Sequence, residues 1–308
     1  MSKPKKQHYV TECYLREFID PNTPVGYEPY IWRFDKNGKS RRKKSPSNIF
    51  ARTDLYTIKV TGKVKDYTIE MTLSKIESEY ANIFQKKIKK KLPLSEYEHI
   101  VLCAFVAITL QRTLRQKDNL EQFLGELIDH GEKIAKHHGV ESKNVENLKK
   151  YKKNAHKLSI LDMLSEIIQL LLRMKVAFLC VDDSGSKFIT SDDPCTLFNP
   201  RLRWQRFYGP GLGQKDVEVT LPLSPEIMLC LSWSNFRGYI EIKKSKIEDL
   251  NRMIRGHCYK YFISHTPKTK WMWFRKYPLN LFFIIKVLKN RIKSRIQKIT
   301  FKHKYRLC

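Results

Sequence analysis

The sequence predicts an α+β protein whose strands and helices are grouped along the chain. Three observations carry this. A short aromatic and β-branched stretch lies near the start, apolar residues at helical spacing dominate the middle, and apolar segments punctuated by turn signals fill the later part. Grouped order of this kind favours α+β over an alternating βαβ arrangement. Of 308 residues, 42% are hydrophobic and 12% aromatic. That is enough apolar material for a core and too much for a disordered chain.

In order, residues 7–20 predict a short helix or turn that gathers Tyr14, Leu15 and Phe18 on one side. After the Pro/Gly-rich PNTPVGYEP, residues 30–34 read as a strand, and the Asn-Gly of DKNG as a turn leading into a basic cluster. Residues 54–60 are a second strand candidate. Across 68–91, Ile69, Leu73, Ile76, Tyr80, Ile83 and Phe84 recur at three- and four-residue spacing, a helix. Ser95 with Glu98 offers a capping box for the next helix, which runs through Leu114. Residues 123–138 and 159–175 read as further helices, the latter buried through its IIQLLL run, with a charged helical stretch or loop at 141–155 between them. The character changes at Val176. VAFLCVD, DSGSK and KFITSDDP read as strand, turn, strand. Residues 217–223 and 227–233 are strands joined at Ser224-Pro225, 245–254 a short helix, and 259–264 a last strand. The expected architecture is a small N-terminal β part, a central helical region and a C-terminal antiparallel β part with one helix. No repeat or linker interrupts it, so 7–265 is expected to be one domain and 266–308 a basic extension.

Charge is the second informative property. There are 59 Lys+Arg against 31 Asp+Glu, a formal net charge of +28. Sixteen of the basic residues and none of the acidic ones follow Asp249, so +28 less 16 leaves +12 on the first 249 residues. KNGKSRRKK, at 36–44, is a second concentration. Such fields attract polyanions, meaning nucleic acid or anionic lipid. In the extension, Leu281, Ile285, Leu288, Ile292, Ile296 and Ile299 are interleaved with lysines and arginines, the pattern of a basic amphipathic helix over 281–299. It can lie on an anionic membrane, grip a nucleic-acid backbone or pack on the domain.

The longest apolar run, 100–110, is about half of the ~20 residues a spanning helix needs, so no transmembrane segment is expected. The N-terminus has basic residues with no apolar stretch behind them, unlike a secretory signal. Seven scattered cysteines, never spaced as CxxC, read as reduced thiols in a cytoplasm-like compartment.

Several segments together resemble a largely bacterial family known as domain of unknown function 4238. QHYVTECYLREF resembles its HYVPxxYLRxF signature, and IWRFDK with SPSNIFARTDLY its strand, charged turn and tyrosine-ended segment. LQRTLR at 110–115 resembles its mid-chain Arg-Thr motif, FITSDDP at 188–194 its FITSDNP, and LPLSP at 221–225 its PLSP. The resemblance covers about 7–265, and the final YFISH is also similar. Thr11 stands where the family usually has proline, Asp193 where it often has asparagine, and the tail beyond 266 has no counterpart. The resemblance implies a fold and a set of motifs, not a reaction.

Candidate chemistry concentrates in these motifs. His8 is a candidate acid/base catalyst, and Tyr9 and Arg16 beside it candidate substrate-binding groups, since arginine holds phosphate bidentately. The structural alternative is that His8 bonds the backbone and Arg16 pairs with a carboxylate. Asp192, at the end of an apolar strand with Ser191 before it, is a candidate to position water or a divalent metal, or equally a turn-maker. Gln111 and Arg112 follow the apolar helix, where a cation needs an anionic ligand or a carboxylate, and Glu77 is the expected mate. The catalytic expectation is thus His8 with Asp192, and the substrate-binding one Tyr9, Arg16, Arg112, Gln111 and Ser191. GPGLG at 209–213 lacks the Lys-Ser/Thr of a phosphate loop, and no HExxH is present. His137-His138 and His257-Cys258 lack partners at zinc spacing, and Ser191 and Ser224 lie in no GxSxG elbow. Trp271 and Trp273, interleaved with Lys270 and Arg275, can stack bases or anchor the tail. Charge and site composition together point to a nucleic-acid-acting protein, as phosphodiesterase or nuclease. The alternatives are a non-enzymatic nucleic-acid-binding or defence-associated interaction module, or a peripheral membrane protein.

Overall fold

Residues 6–59, 65–140, 142–202 and 209–275 are described in a computed structural model of the chain. The amphipathic segment expected at 281–299 lies outside the described residues. By backbone contacts the chain divides after Trp273, and all the described strands and α-helices belong to the unit before that point.

The chain opens with β1 (Lys6–His8), α1 (Glu12–Leu15), a turn of 3₁₀ helix at Arg16–Phe18, and the hairpin β2 (Ile31–Asp35) and β3 (Arg41–Lys44). Then come β4 (Ala51–Thr53), β5 (Ile58–Lys59) and β6 (Lys65–Asp66). The helices are α2 (Thr68–Ile83), α3 (Glu96–Gln111), α4 (Leu114–His137), α5 (Lys143–Lys152), α6 (Ala155–Asp162) and α7 (Leu164–Arg173). The last part holds β7 (Lys175–Val181), β8 (Thr190–Ser191), β9 (Thr196–Phe198), β10 (Glu218–Pro222), β11 (Ile227–Ser232), β12 (Gly238–Ile242), α8 (Lys244–His257) and β13 (Tyr261–Ser264). The protein is α+β.

Two sheets carry most of the strand content. One has the order β12-β7-β11-β10-β9, the other β3-β2-β13-β8. The second joins distant parts of the sequence, since β13 lies between β2 and β8, with Phe262 opposite Phe34 and stacked on it at 5.0 Å. α3 is the central helix, buried on every side from Val101 to Thr109, as an all-round apolar helix must be. Its side chains join those of α2, α7 and the five-stranded sheet in one hydrophobic cluster. The expected capping box opens it: Ser95 Oγ accepts from Glu98 N, and Glu98 accepts from Ser95 N.

Several expectations need correction. Residues 7–20 begin as a strand, because β1 pairs with β4. Among the described residues of the strand expected over 54–60, only Ile58–Lys59 forms a strand, because Asp54, with a φ of 54°, opens a turn closed by Thr57 N donating to its carbonyl. The helix expected over 68–91 gives way after Ile83 to a wider π turn at Phe84–Ile88. The one expected over 159–175 breaks at Met163, and Lys175 already belongs to a strand. The basic cluster is itself partly a strand, β3. In the first sheet β12 runs parallel to β7, so the C-terminal β part is mixed and not wholly antiparallel. Finally, β7 and β8 form no hairpin, as they belong to different sheets.

Candidate functional site

The two arginines of LQRTLR sit at the junction of α3 and α4, where Arg112 ends one helix and Thr113 caps the next, accepting from Gln116 N at 3.3 Å. Arg112 is 2% exposed. Its guanidinium donates to Glu77 on α2 and to the carbonyl of His8 on β1, and lies 5.7 Å from the centre of the Tyr56 ring. Tyr56 in turn donates to the Arg112 carbonyl at 3.0 Å. The second oxygen of Glu77 accepts from Thr11 Oγ1 at 2.8 Å. One buried ion pair thus ties together β1, the start of α1, α2 and α3. Burial alone would lower the Arg112 pKa, and Glu77 more than offsets it.

Two acid–base groups sense this pair. His8 Nε2 is buried with no hydrogen-bond partner among the described residues. Burial holds its pKa below the ordinary histidine value, partly opposed by Glu12. Glu70 stands two helical turns before Glu77, with a buried carboxylate oxygen that also lacks a partner among the described residues. Burial pushes it up to about 7, against the pull of Arg112 and with the help of Glu77. A carboxylic acid that changes protonation near neutrality and an imidazole whose neutral form burial favours are groups suited to proton transfer.

The other sequence candidates lie elsewhere. Asp192 is 4% exposed, and its carboxylate accepts from three consecutive amides, Tyr259 N at 2.8 Å, Lys260 N at 2.7 Å and Tyr261 N at 3.0 Å. Burial pushes its pKa up and the three amides pull it back. Ser191 is fully buried opposite Phe262, its hydroxyl accepting from Asp193 N at 3.2 Å. Tyr9 packs on Phe50 with ring centres 5.5 Å apart, and burial, then the charge of Asp192, raise its phenol pKa. Arg16 is exposed and pairs with Glu12 at 2.6 Å. Gln111 lines a cavity with Thr113 and Arg115. The structure therefore brings His8 and Arg112 together and sets Asp192 and Ser191 on a separate strand turn.

One group escaped the sequence reading, and another was placed behind its neighbour Asp192. Glu70 is the first, though its seven-residue spacing from Glu77 places both on one face of α2. The other is Asp193, whose Oδ2 accepts from Arg115 Nε at 2.5 Å and lies 3.1 Å from His257 Nε2. Arg115 was in plain view, three residues past Arg112, but nothing local marks His257. Among the described residues, no group of three or more His, Cys, Asp and Glu side chains is placed to hold a metal ion, and no helix is long and apolar enough to cross a membrane.

A basic surface accompanies these groups. β3 is an edge strand of its sheet. Arg41, Arg42 and Lys43 on it are exposed. Lys43 Nζ sits 4.3 Å from the Tyr30 ring centre and 5.3 Å from that of Trp32, and Arg41 lies 5.7 Å from Trp32. On the neighbouring strands Arg33 covers Tyr261 at 4.1 Å. Cations on an edge strand discourage strand addition by another chain, and cations interleaved with aromatic rings also suit a phosphate backbone with bases.

A family model described as "Protein of unknown function (DUF4238)" matches residues 6–268. No curated protein and no solved structure matches the chain.

Proposed function

The chain belongs to the DUF4238 family, whose description carries no activity, and we propose that it binds nucleic acid and acts on it as a phosphodiesterase. The observation that carries the reading is the β2–β3 face. There Arg41 and Lys43 surround Tyr30 and Trp32, on a chain of net charge +28. The cations would track phosphates and the rings would stack unpaired bases. Two buried acid–base groups that each feel the Arg112–Glu77 charges, His8 and Glu70, support hydrolysis. His8 would take a proton from the attacking water, and Glu70, protonated in part near pH 7, would donate to the leaving oxygen. Arg112 acts on that site through Glu77 and the His8 backbone, as a positioning residue. The six described cysteines are all free, which supports a reducing, cytoplasm-like compartment. An anionic membrane contacted through 281–299 is the competing partner.

The test is fluorescence anisotropy of the full chain with single- and double-stranded DNA and RNA across a salt series, beside sedimentation with anionic vesicles. Nucleic-acid binding should weaken linearly in log salt. Replacing Arg41 and Lys43 by Ser should reduce the single-strand slope by about 0.7 for each phosphate no longer neutralised. His8→Ala should stop cleavage while leaving binding intact. Full-length protein that ignores every nucleic acid at low salt would refute the reading.

A further inference from the structure

α4 carries more apolar surface than the domain covers. Leu124 and Ile128 are buried, and α5 and α6 pack on the helix. Phe123, Leu127 and Ile134 are instead 56%, 42% and 57% exposed. With the exposed His130 among them they recur at spacings of four, three and four, and the half-buried Leu120 continues the row. This is the narrow a/d seam of a coiled coil. Single exposed apolar residues are ordinary, but a row of them along one helix marks an interaction surface.

The charges beside the seam say what covers it. With Phe123 and His130 at d, and Leu127 and Ile134 at a, the g positions are Glu126 and Lys133, both exposed. Glu126 accepts a 2.9 Å bond from Gln122 on the same helix, and neither g residue has an ion pair among the described residues. In an antiparallel pair of such helices g meets g, so Glu126 of each faces Lys133 of the other, twice by symmetry. In a parallel pair g meets e. Glu126 would then face Gly131 and Lys133 would face His138, with no opposite charge for either. α4 is also locally balanced, with five Asp/Glu against four Lys/Arg, in a chain of 59 basic and 31 acidic residues. A second copy, itself of net charge +28, meets little repulsion along such a helix.

We propose that α4 is a homodimer contact, in which two copies of this chain pair their α4 helices antiparallel about a two-fold axis level with Ile128 and Asp129. Phe123 packs on Ile134 of the second copy and Leu127 on its His130, and the two Glu126–Lys133 pairs flank the seam. A polar residue such as His130 in the seam costs affinity and favours one register. A single helix pair buries less than a standard interface, so the dimer forms in the micromolar range, at about 1–100 µM. The contact stands independently of the nucleic-acid reading.

Sedimentation velocity of the full chain, freed of nucleic acid, tests it over about 1–100 µM. The parent should pass from monomer to dimer as concentration rises. Leu127→Glu, at an exposed position, should stay monomeric throughout while melting like the parent. Glu126→Lys and Lys133→Glu should each weaken the dimer about tenfold or more, because both symmetric pairs then become repulsive. Mixed in equal amounts, these two variants should recover the parent's affinity, since every facing g pair is then Lys against Glu. The double variant Glu126→Lys/Lys133→Glu should recover it as well. A parent that remains monomeric across the range overturns the proposal. So does a dimer that Leu127→Glu leaves intact, or a mixture of the two charge variants that associates no more tightly than either alone.

Discussion

At the scale of single residues, buried polar groups in this protein separate into those whose bonds are complete and those left open. Asp192 is of the first kind. Removing its side chain strips three amides of their acceptor in a buried turn, so Asp192→Ala should cost about 3 kcal/mol or more in urea denaturation. An alanine variant within about 0.5 kcal/mol of the parent would contradict that role. Glu70 is of the second kind. Its pKa in the folded chain, about 7, exceeds the ordinary carboxylate value, so folding favours the protonated form. The stabilisation is fully present below about pH 4 and is lost as pH rises towards 7. Glu70→Gln should flatten that slope and gain stability over the parent above about pH 7, read from melting temperatures between about pH 4 and 8. A parallel pH profile for parent and variant would disprove it. His8 and Arg112 were legible because they stand in compact motifs. The Asp193–His257 contact was not, since it spans 64 residues and depends on where α8 ends.

Among the elements, those with a strong local signal were readable and those decided by a neighbour were not. α3 announces itself by an unbroken apolar run and by Ser95 with Glu98, and both halves of that capping box form. Ser95→Ala should therefore cost about 1 kcal/mol, with Glu98→Ala adding little once the serine is gone, as a double-mutant cycle would show. Full additivity of the two losses would mean that the box is not cooperative. β3 shows the opposite case. Its sequence, RRKK, has no strand propensity worth the name, and it is extended because Ile31–Phe34 offers it a partner across an Asn-Gly turn. β12 likewise forms only because β7 presents a free edge, to which it adds in parallel. The break at Met163 leaves the apolar period nearly in phase, which is why α6 and α7 read as one helix.

On the scale of the whole molecule, the span 7–265 is knitted from its ends inward. β2 pairs with β13, Tyr14 bonds Thr190 across 176 residues, and Arg115 reaches the carbonyl of His257. The helices contribute in the same way, since α3 from the first half packs on α7 from the second. A cut near residue 140 should therefore sever no boundary between independent parts. It would split the four-stranded sheet and the one hydrophobic cluster, and strip α3 from the five-stranded sheet that the second piece keeps, leaving each piece too little buried surface to offset the entropy of ordering a chain. Protein nicked there should run as a single species on native size exclusion and melt in one transition, only modestly below the intact chain. The two fragments made separately should show the broad, weak melts of incompletely folded chains. Two sharp independent transitions, or a fragment that folds alone, would show instead that the span contains two domains.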